Sequence, residues 1–177
     1  MQVGTMRITF AGPDDAVLTY SVNGRTVHKA ITKQNFRTPP ECTWSAFDRS
    51  YEENLTDLWY RSPAESEPGW GINLTQQESV VFATLFTYAA NGQGLWLVMP
   101  EGQMDSAGSA TGALYRTSGP RFDAVPWTPV QFTQVGTMTI TPSSGNSAQL
   151  TYTIDGVTVN KAITRQVFAS PMTKCVS

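Results

Sequence analysis

Residues 3–36 read VGTMRITFAGPDDAVLTYSVNGRTVHKAITKQNF, and residues 135–168 read VGTMTITPSSGNSAQLTYTIDGVTVNKAITRQVF. At an offset of 132 the two stretches align without a gap and agree at 19 of 34 positions. Self-similarity at a fixed offset marks a duplicated structural unit. Each copy reads as three short antiparallel strands. Met6, Ile8 and Phe10 alternate with Arg7 and Thr9, as do Met138 and Ile140 in the second copy. Ala16, Leu18, Tyr20 and Val22 share one face of the next strand, matched by Ala148, Leu150, Tyr152 and Ile154. Asn23-Gly24 and Asp155-Gly156 then supply the left-handed backbone of a two-residue hairpin loop. The third strand runs from Val27 to Lys33, or from Val159 to Arg165. Alternation with period two predicts one buried face and one wet face.

Composition extends this reading to the whole chain. Of 177 residues, 23 are Thr and 14 are Ser, while Gly (14) and Pro (11) punctuate the sequence throughout. Strand formers interrupted by turn residues predict an all-β fold. A hydrophobic share of 40% is enough for a core, so disorder is excluded. The net charge of -2 supplies no basic field, which argues against nucleic acid as a partner. No run of 18 apolar residues is present that would cross a membrane as a helix.

Between the copies lie about five further strands: Trp59-Tyr60, Trp70 to Gln77, Ser79 to Ala89, Gly94 to Met99, and Gly112 to Thr117. The third of these is apolar on both faces and is expected to be the most buried. Trp70 and Trp96 are expected in the core. Phe47, Tyr51 and Leu55, four apart, suggest a short helix over Ser45 to Leu55, and residues 101–111 read as a polar loop. Five strands and the three of the second copy make an eight-stranded antiparallel meander, either a closed barrel or a two-sheet sandwich. Residues 1–40 form an additional three-stranded unit, 41–57 connect, and 58–177 hold the main barrel or sandwich. The surplus unit must bury its apolar face on the main body, as an augmenting sheet, or in a neighbouring chain by strand exchange. Packing within the molecule is favoured, because 37–57 is long enough to reach back.

The stretches LWYRSPAESEPGWGINLTQQ (58–77), FATLFTYAANGQGLWLV (82–98) and TGALYRTSGPRF (111–122) resemble an uncharacterised β-rich repeat module of exported bacterial proteins. The VGTM, NG and KAITRQVF motifs resemble that module's closing segment. Where the module carries a compact Pro-Ala-Glu-Ser-Gly-Trp-Gly, this chain inserts Glu67-Pro68 between Ser66 and Gly69. The resemblance implies a secreted, cell-surface or periplasmic location. It also implies a piece of a longer protein, and a recognition role ahead of an enzymatic one. It carries over no catalytic residue and no cofactor.

Cys42 and Cys175 each follow a repeated unit, and in an exported protein one Cys42–Cys175 bridge would tie down the C-terminal tail. Free thiols and bonds to other segments are the alternatives. A nucleophilic cysteine lacks a partner, because the one histidine, His28, reads as an exposed strand residue and is Asn160 in the second copy. One His and two distant Cys make no zinc site, and no spacing matches a calcium or phosphate loop. The carboxylates Glu65 and Glu67 could act on a polysaccharide if Asp123 or Glu78 came within about 5–10 Å. Lys29 and Lys161, at matched positions, either meet an anion or lay their stems over the sheet. Trp59, Tyr60, Trp70 and Trp127 are the ring candidates for a glycan or peptide. The order of expectation is a non-catalytic recognition or adhesion module first, binding a glycan or protein surface. A structural or assembly repeat without a small ligand comes second, and a hydrolase last.

Overall fold

The computed structural model describes residues 1–45, 49 and 51–176. The chain forms two compact units, residues 1–36 with 119–130, and residues 37–118 with 131 onward. All described regular structure is β. The helix expected over Ser45 to Leu55 falls largely outside the described residues, and the described part, 51–55, is not helical.

The larger unit is a barrel, not a sandwich. Its strands are β5 (Asp57–Arg61), β6 (Gly71–Gln77), β7 (Val80–Tyr88), β8 (Gly94–Met104), β9 (Ala110–Ser118), β10 (Gln131–Ser144), β11 (Ser147–Ile154) and β12 (Val157–Arg165). They close in the order β10-β11-β12-β5-β6-β7-β8-β9, each pair antiparallel. Closure leaves no free edge, and inward residues of all eight strands fill the interior. Ile72, Leu74, Leu85, Leu97, Leu114, Met138, Ile140 and Leu150 are all but fully buried there.

Because the barrel wall is a single layer, only alternate residues of each strand reach the core. In β7, Val81, Ala83 and Leu85 point inward, while Phe86 and Tyr88 are exposed, so this strand is not buried on both faces. Trp96 likewise lies outside, edge-on to Phe86 on the neighbouring strand at 6.3 Å between ring centres. The loop expected over residues 101–111 is shorter. Strand β8 runs to Met104 and β9 starts at Ala110, and Asp105 closes the turn by accepting from the Ala107 and Ser109 amides at 2.8 and 2.9 Å.

The smaller unit holds a three-stranded sheet, β1 (Met6–Phe10), β2 (Asp15–Val22) and β3 (Arg25–Thr32), in the order β1-β2-β3. Its pairing repeats that of the second copy. Ile8 faces Leu18 as Ile140 faces Leu150, and Leu18 faces Lys29 as Leu150 faces Lys161. The bonds beyond the strands repeat too. Asn23 N donates to Val3 O as Asp155 N does to Val135 O, each at 2.8 Å. In both copies the glycine of Val-Gly-Thr-Met has no room for a Cβ, which would strike the carbonyl of Ser21 beside Gly4 or of Thr153 beside Gly136.

Two further strands, β4 (Glu41–Ser45) and β13 (Met172–Val176), pair with Cys42 directly opposite Cys175. A disulfide joins these two cysteines, whose Cα atoms are 4.1 Å apart.

Candidate functional site

The matched lysines lead to two related sites. In the barrel, Lys161 rises from β12 between β11 and β5, and the segment joining β5 to β6 folds over it. Its ammonium donates to both carboxylate oxygens of Glu67, at 2.8 and 2.6 Å, and stands 5.3 Å from the centre of the Trp70 ring. Arg61 approaches the same carboxylate at 3.2 Å. Trp70 Nε1 donates to the Tyr152 hydroxyl at 3.4 Å, and burial pushes the Tyr152 phenol above its ordinary value. The lysine therefore meets a carboxylate. A groove of about 590 Å³ opens beside this cluster, lined by Tyr60, Arg61, Glu65, Glu67, Trp70 and Gln166 among others.

In the smaller unit the corresponding lysine, Lys29, places its ammonium 4.4 Å from the centre of the Trp127 ring. Tyr20, the counterpart of Tyr152, donates its hydroxyl to the Phe122 carbonyl at 3.1 Å. Arg25 bonds Asp123 at 3.0 Å, and the Arg121 guanidinium beside Asp123 holds that carboxyl below the usual range. Residues 119–130 thus cover the hairpin-turn half of the sheet.

In the remaining half of that sheet Ala16 is buried and Leu18 half-buried, while Met6, Ile8, Phe10 and Ile31 are exposed. Among the described residues no further strand pairs with its outer strands β1 and β3, whereas β10 pairs with β9 and β12 with β5. The consequence shows in residues of identical type and register. Met6 is 69% exposed where Met138 is 1%, Ile8 is 47% where Ile140 is 0%, and Ile31 is 37% where Ile163 is 1%. Phe10 adds a further exposed apolar side chain on the same strand.

Of the ring candidates, Tyr60 and Trp70 both line the groove. Trp59 is buried, its Nε1 donating to Leu55 O at 3.0 Å and the Arg165 guanidinium lying 4.6 Å from its ring. Trp70 is buried in the core, Tyr60 is half-buried at the groove, and Trp127 is half-exposed in the other unit. The candidate carboxylates Glu67, Asp123 and Glu78 are each held by groups of their own unit. Glu67 is bound by Lys161 and Arg61, and Asp123 by Arg25 and Arg121. Glu78 accepts from Thr38, which holds its carboxyl below the usual range. His28 is exposed and bonds Thr19 at 3.0 Å.

Sequence reading missed a buried ionic cluster. Arg165 is buried and donates to the carbonyls of Gly145, Asn54 and Thr56, with Asp57 at 3.4 Å. Arg49 bonds Asp57 at 2.7 Å and the Thr173 carbonyl at 2.8 Å, and Glu52 accepts from the Cys175 amide at 2.7 Å. Burial lowers the Arg165 pKa, but the carbonyls and carboxylates around it supply partners for a retained positive charge. Its counterpart in the first copy, Lys33, is exposed and lies 3.4 Å from Asp14, so the alignment gave no sign of a buried charge. Among the described residues no group of His, Cys, Asp or Glu is arranged to hold a metal ion, and no helix is long and apolar enough to cross a membrane.

A closed antiparallel barrel carrying a second copy of its own closing three strands is the class these features define. No family model matches the chain, and no curated protein or solved structure was found to match it.

Proposed function

We propose that the chain is a non-catalytic recognition module of an exported bacterial protein, and that it recognises protein through the exposed Met6, Ile8, Phe10 and Ile31 of β1-β2-β3. The observation that carries this reading is the contrast between Ile8 and Ile140. The same residue in the same register is half in water in one copy and wholly buried in the other. A contiguous apolar face left open on a small sheet is a recognition surface or a liability. The filled barrel interior and the ion pairing of Glu67 with Lys161 and Arg61 support a protein ligand over a glycan or a hydrolytic reaction. The Cys42–Cys175 bridge is consistent with an oxidising compartment, and so with export.

The test is apolar-dye fluorescence on the full chain and on a variant carrying Met6→Asp with Ile8→Asp. The variant should lose most of the dye signal while its barrel melts as in the parent. An unchanged signal would show that the face is not open in solution and would end this reading.

A further inference from the structure

The proposal that follows rests on the recognition reading and names the partner's architecture. Within residues 1–177 the closing unit occurs twice, and among the described residues one copy closes a barrel while the other forms a three-stranded sheet. The barrel shows what such a unit accepts: five antiparallel strands, β5 to β9, with β5 bonded along β12 and β9 bonded along β10. The unpaired copy keeps what that interaction needs. Its strands hold the same register, and the inward Met, Ile, Leu, Tyr and Ile of Met6, Ile8, Leu18, Tyr20 and Ile31 are those of the barrel copy. Residues 119–130 have already brought an aromatic ring to Lys29, as β5–β6 brings Trp70 to Lys161. What is lacking is strands against β1 and β3.

Residues 1–177 hold two such closing units and one set of five strands, β5 to β9, so exchange between copies of this stretch moves the vacancy without filling it. We propose that β1-β2-β3 accepts a five-stranded antiparallel half-barrel of the β5–β9 kind from another polypeptide segment that lacks its own closing unit. Backbone bonding along both outer strands gives affinity, and the inward Met6, Ile8 and Ile31 give register, as in other cases of strand addition.

Residues 54–118 of this chain, which span β5 to β9, serve as the probe. A tagged probe is co-expressed with the full chain in an oxidising compartment. The expected result is one-to-one co-purification, reduced at least tenfold by Ile8→Asp on the inward face. Val17→Asp should retain capture, because Val17 is exposed but alternates onto the other face of β2. Four results overturn the proposal. One is absence of capture, including degradation of the probe alike with and without the full chain. A second is equal capture by the Ile8→Asp chain, which would mean the probe had displaced β10–β12. A third is loss of capture in Val17→Asp with its melting unchanged. The last is a homodimer of the full chain, abolished by Ile8→Asp, that excludes the probe. If the dye test succeeds and capture fails, protein recognition stands and the half-barrel partner falls. If the dye test fails, both fall.

Discussion

The two isoleucines allow one substitution to be made in two environments. Ile140→Ala removes three carbons from a site with no solvent exposure in the barrel core. At about 0.8 kcal/mol for each buried carbon, transfer alone is worth about 2.4 kcal/mol. The cavity left among packed neighbours raises this to about 3–4 kcal/mol, within the range known for core truncations. Ile8→Ala removes the same atoms from a side chain that is 47% exposed. About half the transfer term applies and no cavity forms, so the loss is about 1 kcal/mol. Urea unfolding followed by far-UV circular dichroism and tryptophan emission reads both variants against the parent. Ile140→Ala should lower the thermal midpoint of the barrel by on the order of 10 °C, and Ile8→Ala should leave the barrel transition in place. Comparable losses at the two positions would mean that the sheet face is covered in solution. The inference of a vacant acceptor would then be wrong.

Reduction of the Cys42–Cys175 bridge should destabilise the larger unit by about 2–4 kcal/mol, since it closes a loop with a sequence separation of 133; a thermal midpoint unmoved by reductant contradicts this. Arg165→Met should cost about 3–5 kcal/mol in urea unfolding by leaving Asp57 and three carbonyls without their shared donor. Arg165→Lys should recover only part of that loss, because an ammonium cannot reach as many acceptors as a guanidinium fork; full recovery would refute the geometric argument. The Asp123 carboxyl is held below its ordinary value by Arg121, so its contribution is complete above the unfolded aspartate value and is lost as pH falls through the lower, folded one. Trp127 emission should therefore change in acid with a midpoint below about 4. The step should be missing in Asp123→Asn, and a midpoint well above that value would show that another group controls the segment.

The strands of both repeated units were legible because period-two alternation runs into Asn-Gly or Asp-Gly, and each dipeptide admits few backbones. Barrel and sandwich were not separable, since both present alternating strands with one face buried; the pairing of β12 with β5 decides, and it joins residues about 100 apart. Alternation also leaves open which side faces in when both are apolar, which is why the sequence suggests a core Trp96 and a fully buried β7 although Trp96 and Phe86 lie outside the core. Arg165 was hidden by its alignment with Lys33, a conservative pair by charge whose surroundings differ wholly. The partner of Lys29 was hidden for the opposite reason, since Trp127 lies in a segment without a repeat. The duplication itself was plain, and so was the need for the surplus unit to find cover. The free half of its inward face could be seen only by comparing the exposure of matched residues.

The clasp formed by β4 and β13 has a mechanical consequence. Pulled between Phe36 and Val176, the chain meets the covalent bridge within the first strand at either end, β4 or β13, before any strand of the barrel. Tension then passes from Cys42 to Cys175 through two sulfur atoms, and the 132 residues between them stay slack. In a reducing environment the same pull would run through β5 to β12 and would have to peel hydrogen-bonded strands apart. The bridge thus sets which part of the molecule serves as rope and which as cargo.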